Sequence, residues 1–131
     1  MEKEKMNLDC PEEIADLCMQ IADNRKAEDI IRIDVREHTV IADFYVLCTG
    51  SSFPHINAIS EHIGRELRNK YQLRPRAVEG TPESQWVLMD YISVVVHIMT
   101  PESRSRYELE SLWGDAPQRE LIEKLEPPNA E

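Results

Sequence analysis

A nearly unbroken apolar run over residues 44–48, Phe-Tyr-Val-Leu-Cys, is the feature that most constrains how this chain folds. A strand without polar alternation is typical of a sheet that is covered on both faces. The turn Gly50-Ser51-Ser52 follows directly and offers a hydroxyl cap to a helix that has Pro54 in its first turn. The sequence therefore predicts a central strand that passes straight into a helix.

Hydrophobic periodicity places further elements on both sides of this unit. Helices are predicted over about residues 11–23, from the Ser52 cap to near Tyr71, and from Thr100 to Gly114; strands are predicted over residues 29–35, 43–49, 76–79, 85–91 and 93–99. The second helix connects the second and third strands as a crossover, so those two strands should run parallel. The predicted fold class is α/β, a single domain with a mixed sheet of about five strands flanked by helices.

Length and charge exclude several classes of protein. A chain of 131 residues suits one domain, predicted over residues 11–117, with a flexible N-terminus at 1–10 and a C-terminal extension at 118–131. The net charge of −10 argues against DNA binding or general RNA binding and favours a basic protein partner. No apolar run is long enough for a membrane helix, and the acidic start has no signal core, so we expect a cytoplasmic protein.

Cysteine and histidine spacing does not predict a metal or redox site. Cys10, Cys18 and Cys48 are odd in number and form no C-x-x-C pattern, so they are interpreted as reduced and partly buried thiols. His55 and His62 lie seven residues apart on the second helix, which is too far for one helix to chelate a metal. No metal is therefore expected.

The Gly50-Ser51-Ser52 turn leaves open an alternative function. A strand, a Gly-Ser turn and a helix N-terminus can hold a phosphate with backbone amides. A two-metal phosphoryl-transfer site also needs several converging carboxylates, and the next strand offers only Glu79. The turn is therefore interpreted as structural, and a nucleotide-binding or nucleotidyltransferase-like domain that uses Gly50 and Ser51 is the alternative.

One basic cluster stands out in the acidic chain. It consists of Arg65, Arg68, Lys70, Arg74 and Arg76. Cations at the end of a helix complement its negative terminus, so the cluster is interpreted as a solvated patch. Local contact with RNA is the alternative.

The last two strands form a hairpin whose two faces differ in composition. A turn centred on residues 91–92 places Trp86 opposite His97, and the same register places Leu88 opposite Val95. The wholly apolar face is core and holds Val87, Met89, Val94, Val96 and Ile98; the other face holds Trp86, Leu88, Asp90, Ser93, Val95, His97 and Met99. Such a mixed face is typical of a contact surface. The alternative is a helix that covers this face, with its histidine and aspartate satisfied at the margin.

A series of motifs between residues 41 and 117 matches one family in order and spacing. The motifs are Ile41-Ala42-Asp43-Phe44-Tyr45-Val46, Thr49-Gly50-Ser51-Ser52, Val78-Glu79-Gly80, Trp86-Val87-Leu88-Met89-Asp90-Tyr91, Val94-Val95-Val96-His97-Ile98-Met99 and Tyr107-Glu108-Leu109-Glu110-Ser111-Leu112-Trp113-Gly114-Asp115-Ala116-Pro117. Together they resemble the ribosomal silencing factor family, RsfS, also called Iojap-like. The resemblance implies a nucleotidyltransferase-like topology without catalytic acids, so neither enzymatic activity nor a cofactor is expected.

The resemblance also implies a ribosomal partner. Members of the family bind the large ribosomal subunit through its fourteenth protein and sterically block association with the small subunit, which represses translation. Carried onto this sequence, the contact surface has Trp86 as its aromatic anchor. Around it lie Leu88, Asp90, His97 and Met99, with Glu79 and Tyr107 further out. A homodimer through the Trp86 face is a possible assembly of the free protein, and neither DNA nor a membrane is an expected partner.

Two positions depart from the family pattern. Ile92 lies in the hairpin turn, where the family commonly has glycine, and a β-branched residue resists a positive φ. Pro54 replaces the polar residue that usually follows the Ser-Ser pair. Both departures concern the geometry of turns and helix starts.

Overall fold

The computed structural model describes residues 10–108 and 117–120 of the chain. Within these ranges lie three helices, α1 (Pro11–Asn24), α2 (Phe53–Tyr71) and α3 (Pro101–Tyr107), and six strands, β1 (Glu28–Asp34), β2 (Phe44–Thr49), β3 (Ala77–Glu79), β4 (Trp86–Asp90), β5 (Val94–Met99) and β6 (Gln118–Glu120). The strands form one sheet in the order β3-β4-β5-β2-β1-β6. The predicted α/β class and mixed sheet are confirmed.

The sheet is mixed because β2 pairs with β5 in parallel, whereas the other neighbouring strands are antiparallel. Following the pairings from β5 through β4 to β3 shows that β3 runs parallel to β2, as predicted, with two strands between them. β2 lies in the interior of the sheet. The central position predicted from its continuous apolar run is therefore confirmed.

Both long helices pack on one face of the sheet and form the main core with it. The predicted inner face of α2, residues Ile56, Ile59, Ile63 and Leu67, is fully buried. The strands contribute the apolar face that the hairpin pattern predicts, and all five of its members are buried: Val87, Met89, Val94, Val96 and Ile98. This side of the sheet is referred to as the helix-covered face.

The β4–β5 hairpin has a register two residues away from the predicted one. Trp86 lies opposite Met99, and Leu88 lies opposite His97. The predicted pairs of Trp86 with His97 and Leu88 with Val95 are therefore wrong. Because the shift is an even number of residues, every side chain stays on the face that alternation predicts.

The turn itself explains the difference in register. Tyr91 continues the pairing, because its N–H donates to the carbonyl of Val94 at 2.8 Å, and the turn consists of the two residues that follow. Ile92 has a φ of 76°, and the N–H of Ser93 donates to the carbonyl of Tyr91 at 2.9 Å, which is the pattern of a strained γ-turn. The carboxylate of Asp90 accepts from the N–H of Ile92 at 2.8 Å and stabilises this conformation.

Replacing Ile92 with glycine should stabilise the fold, because glycine adopts a φ of 76° without strain from a Cβ atom. The side chain is 59% exposed, so little apolar burial is lost. We expect a gain of about 1 kcal/mol and a rise in Tm of about 4 °C. Thermal unfolding followed by circular dichroism measures the shift. The control is Ile92→Ala, which keeps the Cβ atom. Equal melting temperatures of Ile92→Gly and Ile92→Ala would contradict strain at this turn.

Gly50 lets the start of α2 pack closely on the end of β2. A Cβ atom on Gly50 would lie 2.7 Å from Cγ1 of Ile56 and 3.1 Å from its backbone nitrogen, and Ile56 is fully buried. Gly64, within α2, offers a contrast, because a Cβ atom there would meet only Cε of Met89 at 3.5 Å. Close approach therefore requires glycine at position 50 but not at position 64.

Alanine substitutions at these two glycines should have opposite effects on stability. Gly50→Ala overpacks the core and should lower the free energy of unfolding by about 2 kcal/mol. Gly64→Ala removes a flexible residue from a helix interior and should raise it by about 0.5–1 kcal/mol. Urea denaturation measures both changes. Destabilisation by both variants to the same extent would mean that close packing is not what position 50 requires.

The last helix is shorter than predicted. α3 begins after the predicted cap, Thr100, but ends at Tyr107, where Glu108 takes a left-handed φ of 49°. The prediction of one continuous helix from Thr100 to Gly114 is therefore wrong. Three apolar residues predicted on its later turns lie outside the described residues: Leu109, Leu112 and Trp113.

β6 is a strand that the sequence analysis does not predict. It pairs antiparallel with β1, with Gln118 opposite Ile33 and Glu120 opposite Ile31. The sheet therefore has six strands rather than about five. The sixth comes from the segment predicted to be a C-terminal extension.

Candidate functional site

The sheet face opposite α1 and α2, referred to as the second face, holds the predicted contact residues. Strand alternation and register place the following side chains on it: Ile31, Ile33, Tyr45, Leu47, Thr49, Ala77, Glu79, Trp86, Leu88, Asp90, Val95, His97 and Met99. One row of direct pairs runs from Glu79 through Leu88 and His97 to Leu47. The structure therefore brings together six of the seven predicted contact residues on one surface, and the seventh, Tyr107, lies at the end of α3.

Burial divides the second face into two parts. Toward the centre of the sheet, Met99 is fully buried and His97 is 4% exposed. Toward the β3 edge, Trp86 and Leu88 are partly exposed and Glu79 is exposed. In this conformation His97 and Met99 offer almost no area to a partner, whereas the β4 and β3 side chains do.

Trp86 is held between two other rings. Its Nε1–H donates to Nδ1 of His97 at 3.1 Å, and the two ring centroids are 5.8 Å apart. The second ring in contact with Trp86 is that of Tyr107, whose centroid lies 4.8 Å from the centroid of the indole. Tyr107 is 48% exposed. Trp86 is therefore oriented by its neighbours while part of its surface remains accessible.

Tyr45 joins this group, although the sequence analysis did not select it. Its ring meets the ring of His97 edge-on at a centroid distance of 4.9 Å. The signal was present in the alternation of β2, which places Tyr45 on the second face between the buried Phe44 and Val46. Tyr45, Trp86, His97 and Tyr107 are referred to together as the aromatic cluster.

His97 is neutral at physiological pH. Burial lowers its pKa from 6.5 to about 4. The indole N–H can only donate, so Nδ1 of His97 must be the acceptor and the ring proton lies on Nε2. Nε2 is buried and has no hydrogen-bond partner within the described part of the chain.

The pKa of His97 predicts a loss of stability in acid. Between about pH 6.5 and pH 4 the unfolded chain binds a proton that the folded chain does not, so this stability is complete above that window and is lost as the pH falls through it. The expected loss is about 3 kcal/mol. Denaturation curves at several pH values for the wild type and His97→Asn isolate this contribution. Parallel stability profiles of the two proteins would contradict it.

Asp90 links the hairpin turn to the edge strand. One carboxylate oxygen accepts from Nη2 of Arg76 at 2.5 Å, and the other accepts from the N–H of Ile92 at 2.8 Å. Burial raises the pKa of Asp90, but the hydrogen bonds and the charge of Arg76 outweigh this effect and hold the pKa below its usual value. This edge of the second face therefore presents an ionised Asp90 that is already paired with Arg76.

The basic cluster is divided between α2 and the edge of the second face, where Arg76 pairs with Asp90. Lys70 pairs with Glu66 at 3.0 Å, whereas Arg65, Arg68 and Arg74 form no ion pair with a carboxylate of the described residues. Arg65 and Arg68 are exposed on the side of α2 that faces away from the sheet. Arg65 and Arg68 therefore lie on the opposite side of α2 from the sheet, whereas Arg76 belongs to the edge of the second face.

The turn before α2 uses backbone amides for internal hydrogen bonds. The N–H of His55 donates to Oγ of Ser52 at 3.2 Å, and the N–H of Ser51 donates to Nδ1 of His55 at 2.9 Å. The other ring nitrogen of His55 lies 2.7 Å from the carbonyl of Arg25, so it is the protonated one. Two amides that a phosphate would need are occupied, which favours the structural interpretation of the Gly-Ser turn.

Other chemistry-bearing groups are buried or dispersed. Burial raises the pKa of Cys18 and Cys48 to about 12, so both remain protonated thiols at neutral pH. Across residues 10–108 and 117–120, no three His, Cys, Asp or Glu side chains are placed to hold a metal ion. Over the same ranges, no helix has the length and apolarity needed to cross a membrane.

Comparison with known proteins identifies the family. Residues 9–131 match the family described as "Ribosomal silencing factor during starvation". The chain belongs to the ribosomal silencing factor family, RsfS. Membership implies ribosome-associated regulation of translation, and it confirms the resemblance carried by the order and spacing of the motifs.

Individual RsfS relatives support the same assignment. Ribosomal silencing factor RsfS of Bacillus subtilis is 37% identical over 99 residues, which cover 76% of this chain and 83% of that protein. "Mitochondrial assembly of ribosomal large subunit protein 1" of Mus musculus is 31% identical over 100 residues, covering 75% of this chain and 44% of that protein. A crystal structure from Chromobacterium violaceum is 30% identical, with a TM-score of 0.76 over 80% of this chain and 87% of the other.

Proposed function

We propose that this protein represses translation by binding the large ribosomal subunit and sterically blocking its association with the small subunit. The proposed contact is the fourteenth protein of the large subunit, and the proposed location is the cytoplasm. The observation that carries the proposal is a partly exposed Trp86, oriented by two rings, on the second face of an RsfS family member. The mouse relative is named for assembly of the ribosomal large subunit, which supports that subunit as the target.

Trp86 has the properties of an interface anchor. Binding energy in protein interfaces is concentrated in a few residues, among which Trp, Tyr and Arg are enriched. The ring of Tyr107 contacts Trp86, and the partly exposed side chain of Leu88 lies two residues further along the same strand. At the far end of that strand Arg76, whose side chain is 62% exposed, pairs with Asp90. This surface therefore offers a Trp, a Tyr and an Arg, the residue types that most often carry affinity.

The charge of the chain favours a protein partner on the ribosome over RNA. A net charge of −10 is repelled by phosphate groups and attracted by a basic protein, which speeds productive encounters. On the β3 and β4 part of the second face, Glu79 is exposed and Asp90 is paired with Arg76. The edge of the contact surface is therefore mildly acidic rather than basic.

Occlusion requires no chemical step. A compact chain of 131 residues has a radius of gyration of about 14 Å. A body of this size, held on a surface that two ribosomal subunits must bring together, prevents their contact by excluded volume. The affinity of the Trp86 surface for the large subunit then determines how much of the subunit is withheld from translation.

Replacing Trp86 with alanine should weaken binding to the large subunit by at least about 30-fold, which corresponds to about 2 kcal/mol. Co-sedimentation with isolated large and small subunits measures this loss. The matched control is Phe53→Ala, which removes another exposed aromatic ring, at the start of α2, and should leave binding unchanged.

Three controls decide the outcome. Circular dichroism and thermal melting establish that Trp86→Ala is folded, and Trp86→Phe supplies a less disruptive variant. Light scattering should show that the wild type lowers subunit joining when it is added to large subunits before mixing. A folded Trp86→Ala protein that binds like the wild type, or equal binding of the wild type to both subunits, would refute the proposal.

A further inference from the structure

His97 lies beneath the proposed contact surface rather than on it. It pairs with Leu88 on one side and Leu47 on the other, in the row that crosses the sheet, and it is 4% exposed. Its Nε2 atom is buried. A residue in this position has almost no area with which to touch a partner.

The hydrogen bond to His97 fixes the orientation of Trp86. The indole lies diagonally across the hairpin from His97, because Trp86 is opposite Met99 and His97 is opposite Leu88. Strand pairing restrains the backbone at this position, but the side chain still has several rotamers. The 3.1 Å hydrogen bond from Nε1 of Trp86 to Nδ1 of His97 favours the rotamer in which the N–H edge of the indole faces His97.

The environment of His97 keeps this bond intact. The rings of Tyr45 and His97 pack at a steep angle with their centroids 4.9 Å apart, and Leu88 and Leu47 flank the imidazole in the sheet. A buried imidazole in these surroundings remains neutral, so Nδ1 stays an acceptor throughout the physiological pH range. Among the described residues Nε2–H has no hydrogen-bond partner, and a buried donor without a partner is unfavourable. An apolar residue would avoid that cost, which indicates that the acceptor at Nδ1 has a use.

We infer that His97 is a positioning residue, which holds Trp86 in the rotamer that binds the ribosome and does not touch the partner itself. The inference rests on the proposed function of the Trp86 surface. Immobilising a large side chain on binding is entropically unfavourable, and a preorganised anchor avoids most of this loss. His97 therefore raises affinity through the free protein, before any contact with the subunit is made.

Three substitutions separate positioning from direct contact. In asparagine the acceptor Oδ1 is bonded to Cγ, as Nδ1 is in histidine. His97→Asn therefore replaces the Nδ1 acceptor but offers no polar atom at the position of Nε2. The amide of glutamine is one atom further from the backbone. His97→Gln can therefore place a polar atom near the position of Nε2 but has no acceptor bonded to Cγ. Leu fills similar space without polar atoms. Positioning predicts that His97→Leu and His97→Gln each bind the large subunit about tenfold more weakly, and that His97→Asn restores most of the affinity.

A second measurement reports on the indole directly. The chain has two tryptophans, and Trp86→Phe identifies the Trp86 indole signal in ¹H–¹⁵N spectra. Exchange of its Nε1–H with solvent should be slow in the wild type and His97→Asn, and faster in His97→Leu and His97→Gln. A purely structural role of His97 would lower the melting temperature without this order of exchange rates.

Each outcome supports or overturns the inference. The order described above, in both affinity and exchange, supports it. Wild-type affinity in His97→Leu, or strong binding by His97→Gln with weak binding by His97→Asn, overturns it, and the second result would place Nε2 in contact with the partner. Failure of the wild type to bind either subunit overturns the proposed function itself, and the Trp86→Ala comparison distinguishes that case.

Discussion

The parallel pairing of β2 with β5 is the constraint on which the other elements depend. Six consecutive pairs, from Phe44 with Val94 to Thr49 with Met99, hold together two strands that are buried along nearly their whole length. Such strands require cover on both faces. α1 and α2 supply it on one face, and on the other face Trp86 of β4 packs against His97 of β5. β4 is then confined to the outer side of β5, where Trp86 reaches the surface.

Local periodicity explains which parts of the fold could be predicted. The stripe of Ile56, Ile59, Ile63 and Leu67 reports the buried face of a helix without any knowledge of the sheet. The register of the hairpin depends instead on Ile92 adopting a positive φ, which its own chemistry disfavours. Burial of Tyr91 and the hydrogen bond from Ile92 to Asp90 overcome that preference, and neither is visible in the sequence.

The sequence also predicts which residues belong to the candidate site, but not how deeply each is buried. Alternation places Trp86 and His97 on the second face in any register with the correct parity, so the composition of the surface follows from the sequence. Alternation does not report what covers a face, and for that reason the burial of His97 and Met99 could not be predicted. The hydrogen bond between Trp86 and His97 also requires the observed diagonal register, which the sequence analysis placed two residues away.

The two outermost strands of the sheet, β3 and β6, have three residues each. A free strand edge is a template on which another chain can add a strand, and a longer edge offers more unpaired backbone groups for hydrogen bonding. β6 covers residues 31–33 of the longer β1, and β3 covers part of β4 on the other side. Among the described residues, the long apolar strands therefore lie inside the sheet and its outermost strands are short, which leaves little backbone for another chain to pair with.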